Sequence, residues 1–328
     1  MKAAITTKYG SPEVIELQEV PTPSPKEHEI QIKIYAATVI MGDSEIRRFK
    51  ISPLFWLPLR LYMGIIKPRI KIYGQELAGV VASIGSNVSK FQPGEKVFLA
   101  TDMSLGAHAE YKCISEDYII ARIPEDMSFE TAAAIPVGGS NALYFVRNAD
   151  LKKGVKVLIV GAGGSIGTIA VQLAKLQGAE VTCIDKGTKE AMLRSIGADY
   201  FIDYEKVSLT DHKESYDAII EIVGKADFSS LVKILKPNGR LILGNPQVGS
   251  LFRGLWLKKN SDKKVIFPPS TYYIEDYNYL CSLIISGQLK IIIDKIYPLE
   301  RIREAHAYID SGEKAGHVVI KIASENEY

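Results

Sequence analysis

Residues 155–185 read VKVLIVGAGGSIGTIAVQLAKLQGAEVTCID. The run Val157–Val160 is continuous and apolar, the pattern of a strand buried on both faces. Gly161-Ala162-Gly163-Gly164-Ser165-Ile166-Gly167 follows, and then a helix pattern with Ile169, Leu173 and Leu176 on one face and Gly178 just past its end. A second strand pattern, Glu180–Ile184, ends on Asp185. Strand, glycine loop, helix, strand and acid in that order mark a dinucleotide site. Glycines let the backbone turn sharply and approach a pyrophosphate, and the helix start offers N–H groups and partial positive charge to it. Asp185 follows Gly167 by 18 residues, within reach of a ribose hydroxyl. A glycine-rich turn in some other α/β protein is the weaker reading, because the whole βαβ unit is present.

Outward from this unit, the chain has 328 residues, enough for two domains, and 47% hydrophobic residues, enough for a core. A net charge of +2 gives no electrostatic footprint for nucleic acid, so no nucleic-acid partner is expected. Cys113, Cys183 and Cys281 are widely spaced, which fits neither a disulfide framework nor a metal knuckle. The start, MKAAITTKYG, has no apolar signal core, and no apolar run reaches membrane-spanning length, so a cytoplasmic location is expected.

Residues 1–122 read as β-rich, with short segments such as Glu29–Ile34, Leu77–Ile84 and Lys96–Leu99 broken by Pro21-Thr22-Pro23-Ser24-Pro25, Gly85-Ser86-Asn87 and Gln92-Pro93-Gly94. From about Ser128, a helix-start residue, helix and strand alternate. Strands are predicted at Tyr200–Ile202, Ala218–Ile222, Arg240–Leu243 and Val265–Phe267, with a helix over Phe228–Leu235 and a turn at Pro237-Asn238-Gly239. That order predicts an α/β fold with a doubly wound parallel sheet. Mixed texture returns in the tail, with helices near Ile274–Ser286 and Leu299–Ser311 and a strand at Val318–Ile322.

Several motifs then combine. Gln75-Glu76-Leu77-Ala78-Gly79-Val80-Val81 is followed by Phe91-Gln92-Pro93-Gly94-Glu95-Lys96-Val97-Phe98, Ala132-Ala133-Ala134-Ile135-Pro136, the glycine loop and Ser195-Ile196-Gly197-Ala198-Asp199. Tyr297-Pro298-Leu299, Ala305-His306 and the stretch from Gly312 to Val319 complete the set. In this order the motifs resemble the medium-chain dehydrogenase/reductase superfamily, in its zinc-free quinone oxidoreductase-like branch. The resemblance implies a GroES-like, partly open β-barrel catalytic domain from 1–122 and 268–328. It also implies a Rossmann dinucleotide-binding domain from 123–267, an active site in the cleft between them, and a homodimer.

Zinc relatives hold the metal with a Cys, a His and a second Cys or acid. The corresponding stretches here read Val39-Ile40-Met41-Gly42-Asp43, Gln75 beside Glu76, and Pro136-Val137-Gly138-Gly139. Gln is a poor zinc ligand and Ile and Val are none, so no metal is expected. A site built from Asp43, Glu76 and His108 is the disfavoured alternative. Without a Lewis acid to polarise an alcohol or aldehyde, a conjugated acceptor is the easier substrate.

Ala162, Gly164 and Gly167 match the AxGxxG form of this branch, and Ser165 and Ile166 fall where N–H groups face phosphate. Asp43 matches an acid found after the former cysteine region, in a catalytic or a structural role. Asn141 falls near the nicotinamide in relatives, with a helix-start cap as the equal alternative. Gln75 is a candidate neutral donor or a polar residue satisfied within the barrel. Tyr73 is a candidate proton donor or, more commonly, a half-buried packing residue. Asn245 follows a sheet strand at its C-terminal end, where cofactors bind.

Asp185 favours NADH, whereas Lys186 and Lys189, with Tyr204 nearby, suit the 2′-phosphate of NADPH. The bland reading of each lysine is a solvated loop side chain. The choice within NAD(P)H stays open. A second unusual segment runs from Arg47 to Gln75, with seven basic residues and no acidic one around the apolar stretch Pro53–Ile66. An ordinary lid, or a helix packed on the barrel or a dimer partner, is favoured there over contact with an anionic membrane surface.

The reading is a zinc-independent oxidoreductase moving hydride from NAD(P)H to a quinone or α,β-unsaturated carbonyl. Its rivals are alcohol/aldehyde interconversion by a side-chain proton donor and a catalytically silent nucleotide-binding regulatory protein.

Overall fold

The computed structural model describes residues 1–51, 53–209, 213–267 and 271–323. Two compact units emerge: Met1–Val137 with Tyr272–Ile285 and Ile293–Tyr328, and Gly138–Thr271 with Ser286–Ile292. The helix Phe129–Ala133, capped by Ser128 Oγ accepting from Thr131 N at 3.2 Å, falls in the first unit. Residue 268, where the sequence-based boundary falls, lies outside the described residues.

Among its described residues the second unit holds six parallel strands in the order Tyr200–Asp203, Glu180–Asp185, Lys156–Val160, Tyr216–Glu221, Leu235–Leu243, Lys264–Ile266. The order reverses direction between Lys156–Val160 and Tyr216–Glu221, the switch point at which doubly wound sheets bind nucleotides. Val157, Leu158 and Ile159 are fully buried, as a strand covered on both faces requires. Each contributes about 1.5–3 kcal/mol by leaving water. The helix Ser165–Leu176 buries a broad face from Thr168 to Ala174. Leu176 departs from expectation and is exposed, because the helix ends there and Gly178 turns the chain away at φ +78°. The Pro237-Asn238-Gly239 turn also survives in altered form. It is an excursion inside strand Leu235–Leu243, since Leu235 pairs with Tyr216 and Arg240 already pairs with Ala218.

The first unit is the GroES-like, partly open barrel. Its seven-stranded sheet centres on Glu29–Thr38, which pairs antiparallel with Glu76–Ile84, Tyr111–Ser115 and the C-terminal strand His317–Lys321. Ile30, Ile32 and Ile34 alternate inward and meet Leu77, Val97, Leu99 and Ile114, a period-2 core. The helices Met41–Arg48 and Ile302–Ser311 are locked together by ionic contacts. Arg47, wholly buried, donates from Nη2 to Asp310 at 2.5 Å and from Nη1 to the Gly10 carbonyl at 2.7 Å, and Ser44 Oγ also donates to Asp310.

Candidate cofactor and active-site residues

In the second unit, strand Lys156–Val160 runs into the glycine loop at Gly161, whose φ of +82° only glycine adopts cheaply. A Cβ there would sit 2.3 Å from Val223 Cγ2. At Gly167 a Cβ would sit 2.4 Å from the Ala162 carbonyl oxygen and 2.5 Å from that of Gly161, so helix and loop touch backbone to backbone. Helix Ser165–Leu176 starts at Gly164 with no side chain capping it. The first turn of a helix directs N–H groups past its own end. With a glycine cap, these groups and the helix dipole suit a pyrophosphate. The cradle therefore fits the dinucleotide at Ala162, Gly164, Ser165, Ile166 and Gly167.

Asp185, at the end of strand Glu180–Asp185, is buried. Its Oδ2 accepts from Gly163 N at 2.7 Å, and its Oδ1 accepts from Lys186 N at 2.9 Å and pairs with Lys189 Nζ at 2.9 Å. Lys189 is buried with it, contrary to the solvated-loop expectation. The short 3-10 turn Gly187–Lys189 brings its side chain back across Gly163 onto the acid. Lys186 Nζ lies 4.0 Å from Glu205, and exposed Tyr204 begins the turn after strand Tyr200–Asp203. Asp185, Lys186, Lys189 and Tyr204 thus share one end of the two outermost strands on that side of the sheet.

Glu221 was not singled out by the sequence. It ends strand Tyr216–Glu221, opposite Val160 in the sheet register. Both of its oxygens accept from Gly224 N, at 2.7 and 2.8 Å, and burial raises its pKa. The loop it ties down includes Val223, which abuts Gly161. The motif's order gave no signal for it. Asn245 lies in the next loop, where the Gly224 Cα comes so close that a Cβ would be 2.0 Å from the Asn245 carbonyl oxygen. Asn141 sits inside helix Pro136–Ala149, past its first turn, so the helix-start reading fails.

In the first unit, Asp43 is wholly buried at the third position of helix Met41–Arg48. Its Oδ2 accepts from Ile40 N at 2.9 Å, capping a helix whose N-cap residue has no polar side chain. Its Oδ1 accepts from Gln75 Nε2 at 3.3 Å. Burial raises the Asp43 pKa, and nearby His108, with the hydrogen bonds, opposes the rise. Gln75 itself is only partly buried. Glu76 accepts from the Thr38 hydroxyl and, at 2.6 Å, from Val137 N. His108 Nε2 is 2.9 Å from the Thr38 carbonyl oxygen. Asp43, Glu76 and His108 each have other work, and among the described residues no three His, Cys, Asp or Glu side chains gather in a metal-holding group.

Tyr73 is fully buried rather than half-buried, packed with Phe49, Met63 and Leu105. Its hydroxyl meets no hydrogen-bond partner among the described residues, and burial pushes its pKa up. Tyr73→Phe is expected to stabilise the chain by about 1 kcal/mol, read as a higher urea midpoint, because an unmet buried hydroxyl carries a cost. Turnover is expected to stay within about threefold, whereas loss of a general acid would lower it about a hundredfold or more.

Comparison with known proteins agrees with this geometry. The alcohol dehydrogenase GroES-like domain profile matches residues 26–151, and the zinc-binding dehydrogenase profile matches 196–320. A 2-methylene-furan-3-one reductase of Solanum lycopersicum is 30% identical, over 98% of this chain and 79% of that protein. The quinone oxidoreductase of Coxiella burnetii superposes with a TM-score of 0.88 at 28% identity, covering 98% of this chain and 99% of that one. The Escherichia coli quinone oxidoreductase complexed with NADPH gives 0.84 at 26% identity, covering 98% and 100%.

Proposed function

The chain belongs to the medium-chain dehydrogenase/reductase superfamily, in its quinone oxidoreductase-like branch, and is an NAD(P)H-dependent oxidoreductase; from that premise we propose that it reduces a quinone or an α,β-unsaturated carbonyl without zinc. The observation that carries this reading is the side chain at the former histidine position. Gln75 is bonded to a buried acid, in a set of donors that does not fit a metal.

When bound, the reduced nicotinamide supplies a hydride. The chain's residues have to receive the negative charge that then develops on the acceptor's carbonyl oxygen. The Gln75 amide carries two hydrogens on Nε2. One is held by Asp43 Oδ1, which leaves the other for an acceptor oxygen. In this reading Gln75 touches the acceptor and Asp43 positions Gln75. A small-molecule acceptor and a homodimer, with no nucleic-acid partner, complete the proposal. Gln75→Leu is expected to lower kcat about tenfold with an unchanged KM for the cofactor, a smaller loss than removal of a dedicated oxyanion donor. A fall in cofactor affinity instead would remove Gln75 from the acceptor side.

For the cofactor, the Asp185–Lys189 pair sets two opposing preferences. The acid repels a 2′-phosphate, while the lysine beside it attracts one. Asp185→Ser releases Lys189 Nζ and removes the repulsion. It is expected to raise the kcat/KM ratio for NADPH over NADH about tenfold, or roughly 1.4 kcal/mol. An unchanged ratio would take cofactor choice away from this pair. The reaction class is tested by cofactor oxidation against quinones, enones and aldehydes, with and without prior chelation. Turnover of quinones or enones that chelation leaves unchanged supports the proposal. Turnover only of aldehydes, or only with metal, refutes it.

A further inference from the structure

No helix among the described residues is long and apolar enough to cross a membrane. Two short ones nevertheless leave apolar faces in water. In helix Pro53–Met63 and the residues after it, Leu59 and Met63 pack inward with Phe49, Tyr73 and Leu105. Arg60 is used inward too, with its guanidinium 3.9 Å from the Phe49 ring centroid and 4.2 Å from that of Tyr9. Outward stand Leu57 (60% exposed), Leu61, Tyr62, Ile65 and Ile66 (83% exposed). Leu57 and Leu61 lie four apart on one side of the helix, and Ile65 and Ile66 follow just past its end, beyond Gly64 at φ +115°. Around them Lys50, Lys67, Arg69 and Lys71 are exposed, and the sequence from Arg47 to Gln75 has no acid to neutralise them.

The other unit repeats the pattern independently. Helix Val248–Asn260 sits close on its own sheet through Gly254, where a Cβ would be 2.8 Å from the Phe267 ring, and through buried Leu257. Its outer row, at spacings of three and four, is Phe252 (70% exposed), Leu255 and Trp256 (66% exposed), with Arg253 and Lys259 also exposed. No acidic residue occurs from Phe228 to Ser261, although Asp227, just before that stretch, lies near enough to Arg253 to feel its charge.

Single exposed apolar residues are ordinary, but clusters of them flanked by exposed cations are not. We propose that these two helices are interfacial elements, each laying its apolar row into the headgroup boundary of an anionic lipid bilayer. Charge complementarity selects this occupant. A second copy meeting the same face across a two-fold axis would set lysines and arginines against one another. An anionic bilayer answers both the apolar row and the cations. The proposal does not depend on the reaction assigned above, and its failure would leave that reading intact.

The test is sedimentation of the full chain with vesicles of phosphatidylcholine plus phosphatidylglycerol, and of phosphatidylcholine alone, at low and high salt. Binding is expected only to the anionic vesicles and is weakened by salt. The pairs Leu61→Gln with Ile66→Gln, and Phe252→Gln with Trp256→Gln, are each expected to lower partitioning at least about tenfold. Lys67→Gln is expected to lower it about fivefold, the effect of one cation near an anionic surface. NADPH binding by the same variants reports that they remain folded. Failure of the wild type to pellet with anionic vesicles would overturn the proposal. Variants that pellet like the wild type would do so too. So would a wild-type dimer that the substitutions split into monomers without vesicle binding, which would make the faces an interface between copies.

Discussion

Gly167→Val is expected to abolish useful cofactor binding, lowering kcat/KM for NADPH about a hundredfold or more. Even its first added carbon would lie 2.4 Å from the Ala162 carbonyl oxygen, 2.5 Å from that of Gly161 and 2.6 Å from the Ala162 carbonyl carbon. All three neighbours are backbone, and none can rotate away as a side chain would. Relief requires the loop to separate from the helix by about 1 Å, a displacement on the scale that costs about a hundredfold when it moves reacting groups. The overpacking also costs about 1–3 kcal/mol of stability. Gly164 is the control, because the nearest atom to a Cβ there is the Gly161 carbonyl oxygen at 3.7 Å. Gly164→Ala is therefore expected to be far milder. Fluorescence titration with NADPH reads both. Equal affinities for Gly167→Val and the wild type would refute the backbone cradle.

The second large effect is on stability. Arg47→Met removes a buried guanidinium from Asp310, Ser44 and the Gly10 carbonyl, and leaves the acid with only the Ser44 hydroxyl and, 3.7 Å away, Arg48 Nη1. Removing one partner of a buried pair costs about 3–5 kcal/mol, because the remaining charge stays desolvated. The Asp310 side chain retains some exposure and keeps Arg48 nearby, which places the expected loss at the lower end of that range. Replacing both partners, as in Arg47→Met with Asp310→Leu, is expected to recover most of it, since a packed apolar pair often matches an ionic one. Denaturation midpoints of the three variants check this. A double variant no better than Arg47→Met alone would locate the effect in the Gly10 contact instead.

What could be read from the sequence followed the range of the interactions. The βαβ unit was legible because its strand, glycine turn, helix and acid are contiguous and each leaves a local pattern. The cradle residues from Ala162 to Gly167 came with it. The barrel was legible from ordered motifs, although the strands Lys2–Thr6 and Ile293–Pro298 have too little alternation to stand out alone. The site's electrostatics were not legible. Lys189 reads as a surface lysine, and only the turn after Lys186 folds it onto Asp185. Asp43 meets Gln75 across 32 residues, and Arg47 meets Asp310 across 263. Such pairings are set by the fold and leave no periodic trace. Segment 47–75 was legible in composition, yet which side of its helix faces water required the packing of Phe49, Met63 and Tyr73.

The central claim is that hydride goes to the conjugated carbon of an enone or quinone and not to a carbonyl carbon. Turnover of an α,β-unsaturated ketone with cofactor carrying deuterium at the transferred position, followed by mass spectrometry and NMR of the product, tests it most directly. The account predicts a saturated ketone with deuterium on the β-carbon. An allylic alcohol with deuterium on the carbinol carbon would contradict it.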